Sequence, residues 1–376
     1  MRIICTVTND LSHDQRMDRI CTTLQAAGHD VLLLGRWLPG SPPLESRTYR
    51  THRLRCRWHS GKRFYLEYTY RLRNYLRQQT AEVICAVDLD TLLAVSFLRS
   101  PDTKIVYDAH EWFSETPEVV HRPLIRRIWR TVGRRLVPRT DARYTVGPAL
   151  AELLEEDYKI TFEVIRNVPE QIEYTNKENS EGVILYQGML NPGRGLATAI
   201  EALPLLPSSC KLWIVGSGPE LEPLQRIAVE FGVSNRVWFA GFTPPADLPA
   251  LTAQAWLGLN LLADSSPSYY YSLANKSLDY IQAGLPSVQM DFPEYRAIHV
   301  QYDVFSLLPT LSPTALAAVI RELIDQPDRY VQLQANCHAA ARDLCWEVEA
   351  PKLLKIYSDL ARQVTTSPAR LPARSD

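Results

Sequence analysis

The chain has 376 residues, 46% of them hydrophobic and 22% charged, with 41 Lys and Arg against 42 Asp and Glu. That length exceeds one ordinary domain and favours two, and a net charge of -1 argues against a polyelectrolyte binder of nucleic acid. Seven scattered cysteines without a Cys-x-x-Cys pair argue against a disulfide frame or a zinc site and suit reduced thiols in a cytoplasmic protein.

The N-terminal Met1-Arg-Ile-Ile-Cys-Thr-Val-Thr8 runs straight into a strand, with no signal-peptide pattern. No apolar run approaches the ~20 residues that span a bilayer, so the expected place is the cytoplasm or the inner face of a membrane. Apolar β-rich runs predict strands at 3–8, 31–34, 83–87, 104–107, 142–146 and 164–165. The second half adds 183–186, 211–215, 237–239, 257–262, 286–290 and 304–308. Helical periodicity falls between them, at 15–27, 148–157, 195–203, 220–231, 275–283 and 314–326. Such alternation predicts parallel, doubly wound sheets with helices on both faces. A polar, strand-free stretch at 169–182 reads as a linker. The expected division is therefore 1–170 and 171–345, a helix at 346–364 that crosses back to the first domain, and a disordered Pro/Ser/Arg tail at 365–376.

In chain order, the first polar loop carries Asp14 and Arg16 at a strand end, where they either cap the next helix or touch a ligand. Asp88-Leu-Asp90 has the look of a metal-holding Asp-x-Asp, but Asp90 also suits a helix N-cap, which is the preferred reading. His110 and Glu111 follow the strand at 104–107; ligands of open α/β sheets bind outside such strand ends. A His beside a Glu there serves as a proton carrier, as a donor to a sugar hydroxyl, or merely as a satisfied polar residue. Basic residues crowd 47–77 and 122–143, and Ile125, Ile128, Trp129, Val132 and Leu136 share one helical face. That face suits an anionic membrane surface or, as preferred, the protein's own sheet.

Two loops of the second half read either as anion sites or as ordinary loop–helix junctions with a solvated cation, and a third is a partial glycine motif. Gly188-Met-Leu-Asn-Pro-Gly-Arg-Gly195 joins a strand to a helix, with Arg194 at the helix entrance, able to fork onto a diphosphate. Gly216-Ser-Gly218 supplies half of a dinucleotide fingerprint and no more, because Leu221 stands at the third glycine. The polar loop from Ser265 enters a helix with Lys276 in its first turn. A cation there opposes the helix dipole unless a phosphate shares the site.

Together these residues resemble the family 4 glycosyltransferases of the GT-B fold over nearly the whole chain. Gly188 to Gly195 looks like that family's Gly-Arg…Lys-Gly loop, Val237-Trp-Phe-Ala-Gly-Phe242 like the strand and turn near the nucleotide base, and Asn275-Lys-Ser-Leu-Asp-Tyr280 like an Asn-Lys-x-x-Glu-Tyr form of the donor helix. The resemblance implies an α/β architecture of two Rossmann-like doubly wound parallel-sheet domains facing a central cleft. It implies transfer of a sugar from a nucleotide-diphosphate sugar to an acceptor hydroxyl with retention, in cell-surface polysaccharide or glycolipid synthesis, without metal or other cofactor. Donor contacts would come from Gly188, Arg194, Gly216, Gly218, Phe242, Tyr271, Ser272, Leu273, Lys276 and Asp279. Catalytic roles would fall to His110, Arg194 and Lys276, and acceptor-side contacts to Asp14, Arg16, His110 and Glu111. The implied partners are the donor and a saccharide or lipid-linked acceptor, with peripheral contact to an anionic membrane and no nucleic acid. Two departures stand out. Tyr271 and Asp279 occupy the places of the family's paired glutamates, and Met189 that of an arginine. A catalytically silent donor-binding partner of a transferase and a nucleotide-sugar 2-epimerase remain as alternatives.

Overall fold

Two parallel sheets organise the computed structural model, which describes residues 1–98, 102–172 and 182–366. The chain divides into two units, the first formed by Met1–Arg166 with the chain from Glu349 onward, the second by Asn167–Val348.

In the first unit the strands are β1 (Arg2–Thr6), β2 (Asp30–Trp37), β3 (Arg50–Arg55), β4 (Val83–Val87), β5 (Lys104–Ala109), β6 (Ala142–Thr145) and β7 (Glu163–Val164). They form one sheet in the order β3-β2-β1-β4-β5-β6-β7, every pair parallel. β1 and β4 are buried on both faces, as continuous apolar runs in a doubly covered sheet should be. The covering helices are α1 (Gln15–Ala26), α2 (Gly61–Leu76), α3 (Asp88–Val95), α4 (Pro117–Val120), α5 (Pro123–Leu136) and α6 (Pro148–Tyr158). On α5 only part of the apolar face docks: Trp129, Val132 and Leu136 pack on the core, while Leu124, Ile125 and Ile128 are exposed.

The second unit holds β8 (Val183–Gln187), β9 (Lys211–Val215), β10 (Val237–Gly241), β11 (Leu257–Asn260), β12 (Ser287–Met290) and β13 (Phe305–Leu308). Their order is β10-β9-β8-β11-β12-β13, again all parallel. Its helices are α7 (Leu196–Ala202), α8 (Leu221–Glu230), α9 (Leu248–Thr252), α10 (Pro267–Tyr270), α11 (Asn275–Gln282), α12 (Pro293–Tyr302), α13 (Pro313–Asp325) and α14 (Pro327–Ala340). The last helix, α15 (Trp346–Thr366), returns the chain to the first unit, where Leu353, Tyr357 and Leu360 are buried.

Each sheet reverses its winding once, between β1 and β4 and between β8 and β11. The crevice outside the carboxyl ends at such a switch point is where open α/β sheets take ligands.

Three expectations need correction. The units part at Arg166/Asn167 rather than after 170, because 167–171 is bonded into the second unit. Asn167 Nδ2 donates to Asn275 Oδ1 at 2.8 Å, and Pro169 O accepts from the Trp346 amide at 2.8 Å. For the same reason the return falls at Glu349, whose buried carboxylate accepts from the Arg166 amide at 3.2 Å and pairs with its guanidinium at 3.3 Å. Most of the linker expected at 169–182 lies outside the described residues; of the disordered tail expected at 365–376, residues 365–366 continue the last helix and the rest lie outside the described residues. Finally, Asp90 is not the N-cap of α3: the helix starts at Asp88, with Val87 in the cap position. Asp90 lies inside the first turn, buried, and accepts from the Thr91 amide at 2.8 Å.

Candidate active site

At the switch point of the second unit, the loops after β8 and β11 and the first turn of α11 bring two cations together. Arg194 sits between two left-handed glycines, Gly193 and Gly195, where a Cβ on Gly195 would fall 2.2 Å from Leu261 O. That close approach requires glycine and ties the Arg194 loop to the end of β11. The Arg194 guanidinium lies 5.0 Å from the Tyr269 ring centre, and its Nε has no hydrogen-bond partner among the described residues. Lys276 is buried, 9% exposed, with Nζ 4.7 Å from the Tyr186 ring centre and Cε 3.4 Å from where a Cβ on Gly188 would stand. Neither cation makes an ion pair among the described residues. Burial, then the charge of Arg194, lowers the Lys276 pKa to about 7, with Asp279 opposing.

The backbone adds donors. The Ala274 amide is taken by Tyr295 Oη at 3.0 Å, but the amides of Leu273, Asn275 and Lys276 have no partner among the described residues. Those of Asn275 and Lys276 are the orphan donors of a helix start, and with the Leu273 amide just before the cap they favour an anion. A buried polar set holds this turn on the sheet. Ser277 Oγ donates to Gln289 Oε1 at 2.8 Å, and Asn260 Nδ2 donates to the same oxygen at 2.9 Å and to Ser277 Oγ at 3.2 Å. One turn on, Asp279 accepts from Gln187 Nε2 at 3.1 Å, and Gln187 Oε1 accepts from Thr252 Oγ1 at 2.8 Å. Gln187, at the end of β8, thus sets the carboxylate's direction.

Gly216 and Gly218 join two loops of the second sheet. A Cβ on Gly216 would lie 1.9 Å from Gly188 O, and one on Gly218 would lie 2.6 Å from Leu190 O. The two loops press backbone against backbone, linked by Gly188 N to Val215 O and Leu190 N to Ser217 O, both 2.9 Å. These glycines are required by that seam. Phe242 is exposed just past β10, Leu273 is buried, and Ser272 Oγ donates to Tyr269 O at 2.8 Å. Tyr271 follows α10, its ring 4.9 Å from that of Tyr270.

In the first unit the polar residues at the strand ends form a chain of charges. Arg16, 4% exposed, donates to Asp108 through Nη2 at 2.8 Å and Nε at 3.3 Å, and to Ile165 O through Nη1 at 3.0 Å. Asp108 Oδ2 in turn holds His110 Nε2 at 3.0 Å, and the His110 amide donates to Asp88 Oδ1 at 3.0 Å. Burial would raise the Asp108 pKa, but Arg16 and His110 hold it at about 2. Burial would lower that of His110, yet the charge of Asp108 and the bond to it raise it to about 9. His110 is therefore an imidazolium near neutrality, a hydrogen-bond donor rather than a base.

Two of the acceptor-side candidates are engaged within the first unit. Arg16 is turned into the protein, and Asp14 caps α1 by accepting from the Met17 amide at 3.0 Å while bonding Asn9 Nδ2 at 2.6 Å. Glu111 is exposed, and its charge acts on the buried Asp88 that the His110 amide meets. Buried Glu115 ties the loop after His110 to α5 through Arg126, with Nε at 3.0 Å. The sequence did not single out Asp108, Glu115 or Gln187, and it offered Asp88 only as part of a metal-like Asp-x-Asp. Asp108 was in view, since it lies near the end of β5, two residues before His110.

Residues 14–169 match the family model described as a glycosyl transferase 4-like domain, and residues 167–343 match glycosyl transferases group 1. Among characterised proteins the chain is similar to a D-inositol 3-phosphate glycosyltransferase of Thermomonospora curvata, 28% identical over 182 residues that cover 47% of this chain and 41% of that protein. It is similar to the lipopolysaccharide core biosynthesis glycosyltransferase LpsE of Rhizobium meliloti, 40% identical over 60 residues, 16% of this chain and 17% of that one. The chain matches less than half the length of these relatives. Among solved structures, sucrose-phosphate synthase from Thermosynechococcus elongatus superposes with a TM-score of 0.80 at 18% identity, over 96% of this chain and 100% of that one. Anabaena HepE in complex with UDP and glucose gives 0.75 at 16% identity, over 97% and 100%. Likeness at such identity establishes the GT-B fold. No helix among the described residues is long and apolar enough to cross a membrane.

Proposed function

We propose, on the premise that the chain belongs to the GT-B glycosyltransferases whose two domain models it matches in turn, that it moves a sugar from a nucleoside diphosphate sugar to an acceptor hydroxyl with retention. The setting we assign is cell-surface polysaccharide or glycolipid synthesis. The observation that carries this reading is the convergence of Arg194, Lys276 and three unpartnered amides at one strand edge. Breaking the anomeric C–O bond builds negative charge on the departing diphosphate, and fixed donors aimed at that charge lower the barrier. Arg194 forks onto the phosphates, Lys276 sits beneath them, and the start of α11 completes the cradle. This arrangement meets the diphosphate charge without a metal ion. Asp279, oriented by Gln187, accepts from the ribose hydroxyls, and Phe242 offers its face to the base.

Retention fits the charge state of His110. Held as an imidazolium by Asp108, it cannot take the acceptor's proton, so its role is donation to a sugar hydroxyl. The proton passes instead to the leaving phosphate oxygen, which requires the acceptor to attack from the leaving group's own face. Replacing Arg194 or Lys276 by Ala lowers kcat at saturating donor by roughly a hundred- to a thousandfold, as for other fixed transition-state donors. Unchanged turnover in both variants refutes the assignment.

Tyr271 motivates a second reading, a silent donor-binding partner, because the loop 265–276 contains no carboxylate. Donor binding by calorimetry without turnover across a broad acceptor panel would establish it. Hydrogen exchange at the sugar C2 without acceptor would instead mark an epimerase.

A further inference from the structure

Basic residues also gather at the carboxyl edge of β2 and β3 in the first unit. β2 ends on Trp37, in register with Arg55 of β3, and the Arg55 guanidinium lies 5.8 Å from the Trp37 ring centre. In the turn that follows, Arg57 and Arg63 both approach the ring of Trp58, at 5.3 and 4.7 Å. Lys62 and Arg63 occupy the first turn of α2, which has no acidic residue and whose Ser60 cap makes no side-chain bond to the helix amides. Cations there oppose the helix dipole, the same placement that marks Lys276 on α11. Arg55, Arg57, Lys62 and Arg63 make no ion pair among the described residues.

The turn is held from both sides. Glu67 accepts from the amides of Arg57 at 2.8 Å and Trp58 at 3.0 Å and is neutralised by Arg71 Nε at 2.7 Å. Arg36, lying 4.1 Å from the Phe64 ring centre, donates to His59 O at 2.9 Å. Two guanidiniums on anchored backbone, sharing one indole and lacking a carboxylate, form a fork for a phosphoryl group. Beside them, Leu66 and Tyr70 are 73% and 63% exposed. At four-residue spacing from Lys62 they continue one face of α2, an apolar strip leading away from the cations.

We propose that this edge is a second anion site, taking a phosphate or diphosphate carried by the acceptor on Arg57 and Arg63, with Lys62 and Arg55 beside them. The proposal rests on the sugar-transfer reading only in calling that ligand the acceptor. Its phosphoryl group belongs either to a soluble sugar phosphate or to a lipid headgroup, and the test separates the two. The full chain and its R57A/R63A and R57K/R63K variants are titrated with inorganic pyrophosphate under saturating UDP. In parallel they are sedimented with phosphatidylcholine vesicles with and without phosphatidic acid. R57A/R63A loses about tenfold or more in affinity for one probe, R57K/R63K keeps part of it, and UDP affinity stays unchanged. Loss toward pyrophosphate assigns a soluble phosphate; loss toward the acidic vesicles alone assigns a headgroup. The proposal is overturned if the unaltered chain binds neither probe, if R57A/R63A binds both equally well, or if UDP affinity falls in step. If UDP fails to bind while pyrophosphate still depends on Arg57 and Arg63, the sugar-transfer reading falls and this site stands.

Discussion

Binding of a nucleoside diphosphate should draw a proton onto Lys276. In the unligated protein burial and Arg194 hold this amine at about 7, so a large share of it is neutral at pH 8. A diphosphate against Nζ favours the charged form and returns the pKa toward the ordinary lysine range. Linkage then gives the magnitude: with a free pKa near 7, binding at pH 8 takes up about 0.9 proton at this group, and at pH 6 only about 0.1. Above pH 7 the dissociation constant rises about tenfold per pH unit until the bound-state pKa is reached. The assay is calorimetric titration with UDP at pH 8 in two buffers of different ionisation enthalpy, whose apparent enthalpies differ by the uptake. At that pH the phosphates are fully ionised and contribute nothing to the difference. K276R keeps a charge that does not titrate, so it binds without uptake, and K276M binds weakly without uptake. Zero uptake in the unaltered protein, or equal uptake in K276R, refutes the account.

Replacing Asp108 by Asn leaves Arg16 charged and buried without its partner, and urea unfolding should show a loss of about 3–5 kcal/mol. The His110 pKa is raised from its ordinary 6.5 to about 9. Its stabilisation is therefore fully present below pH 6.5 and is lost as pH rises through about 9; H110Q should flatten that decline in a Tm-against-pH profile. Gln187→Ala frees Asp279 and should raise donor KM roughly ten- to a hundredfold, the worth of one charge-assisted hydrogen bond, with kcat little changed; an unchanged KM refutes the orienting role. Gly216→Ala places a Cβ 1.9 Å from Gly188 O at a φ of 148°, and should lower stability by about 2 kcal/mol or more in chemical denaturation.

The parallel, doubly wound architecture was legible because both-face burial writes unbroken apolar runs. The expected strands at 83–87 and 211–215 coincide with β4 and β9. β3 was not, since Arg50-Thr-His-Arg-Leu-Arg55 is an edge strand whose charged side chains keep that edge open to water. Lys276 and Arg194 could be chosen from local context, each standing at a helix entrance after a strand. Arg16 could not be placed, because its partner lies 92 residues away at the end of β5, and nothing near residue 16 distinguishes a buried guanidinium from a ligand-facing one. Gly216 and Gly218 were chosen as donor contacts from a partial motif, whereas the packing that demands glycine there comes from the neighbouring loop at Gly188 and Leu190. Pairing between loops is invisible to a motif that looks only along the chain.

The departure at Tyr271 bears on binding and on chemistry in different ways. Around Arg194 and Lys276 the supporting groups are the rings of Tyr269 and Tyr186, which attract a cation by about 0.5–2 kcal/mol without neutralising it. A carboxylate in the loop 265–276 would have compensated the two charges in the empty state and competed with an incoming phosphate. With none there, the empty site relieves its repulsion by letting Lys276 approach neutrality, and the anion restores the charge when it arrives. Donor binding thus needs nothing from position 271. Catalysis asks more, because positive charge that develops on the sugar ring during bond breaking gains no counterion from a tyrosine. The departing diphosphate, held by the same two cations, is then the negative group left to face it, as the same-face attack proposed above requires.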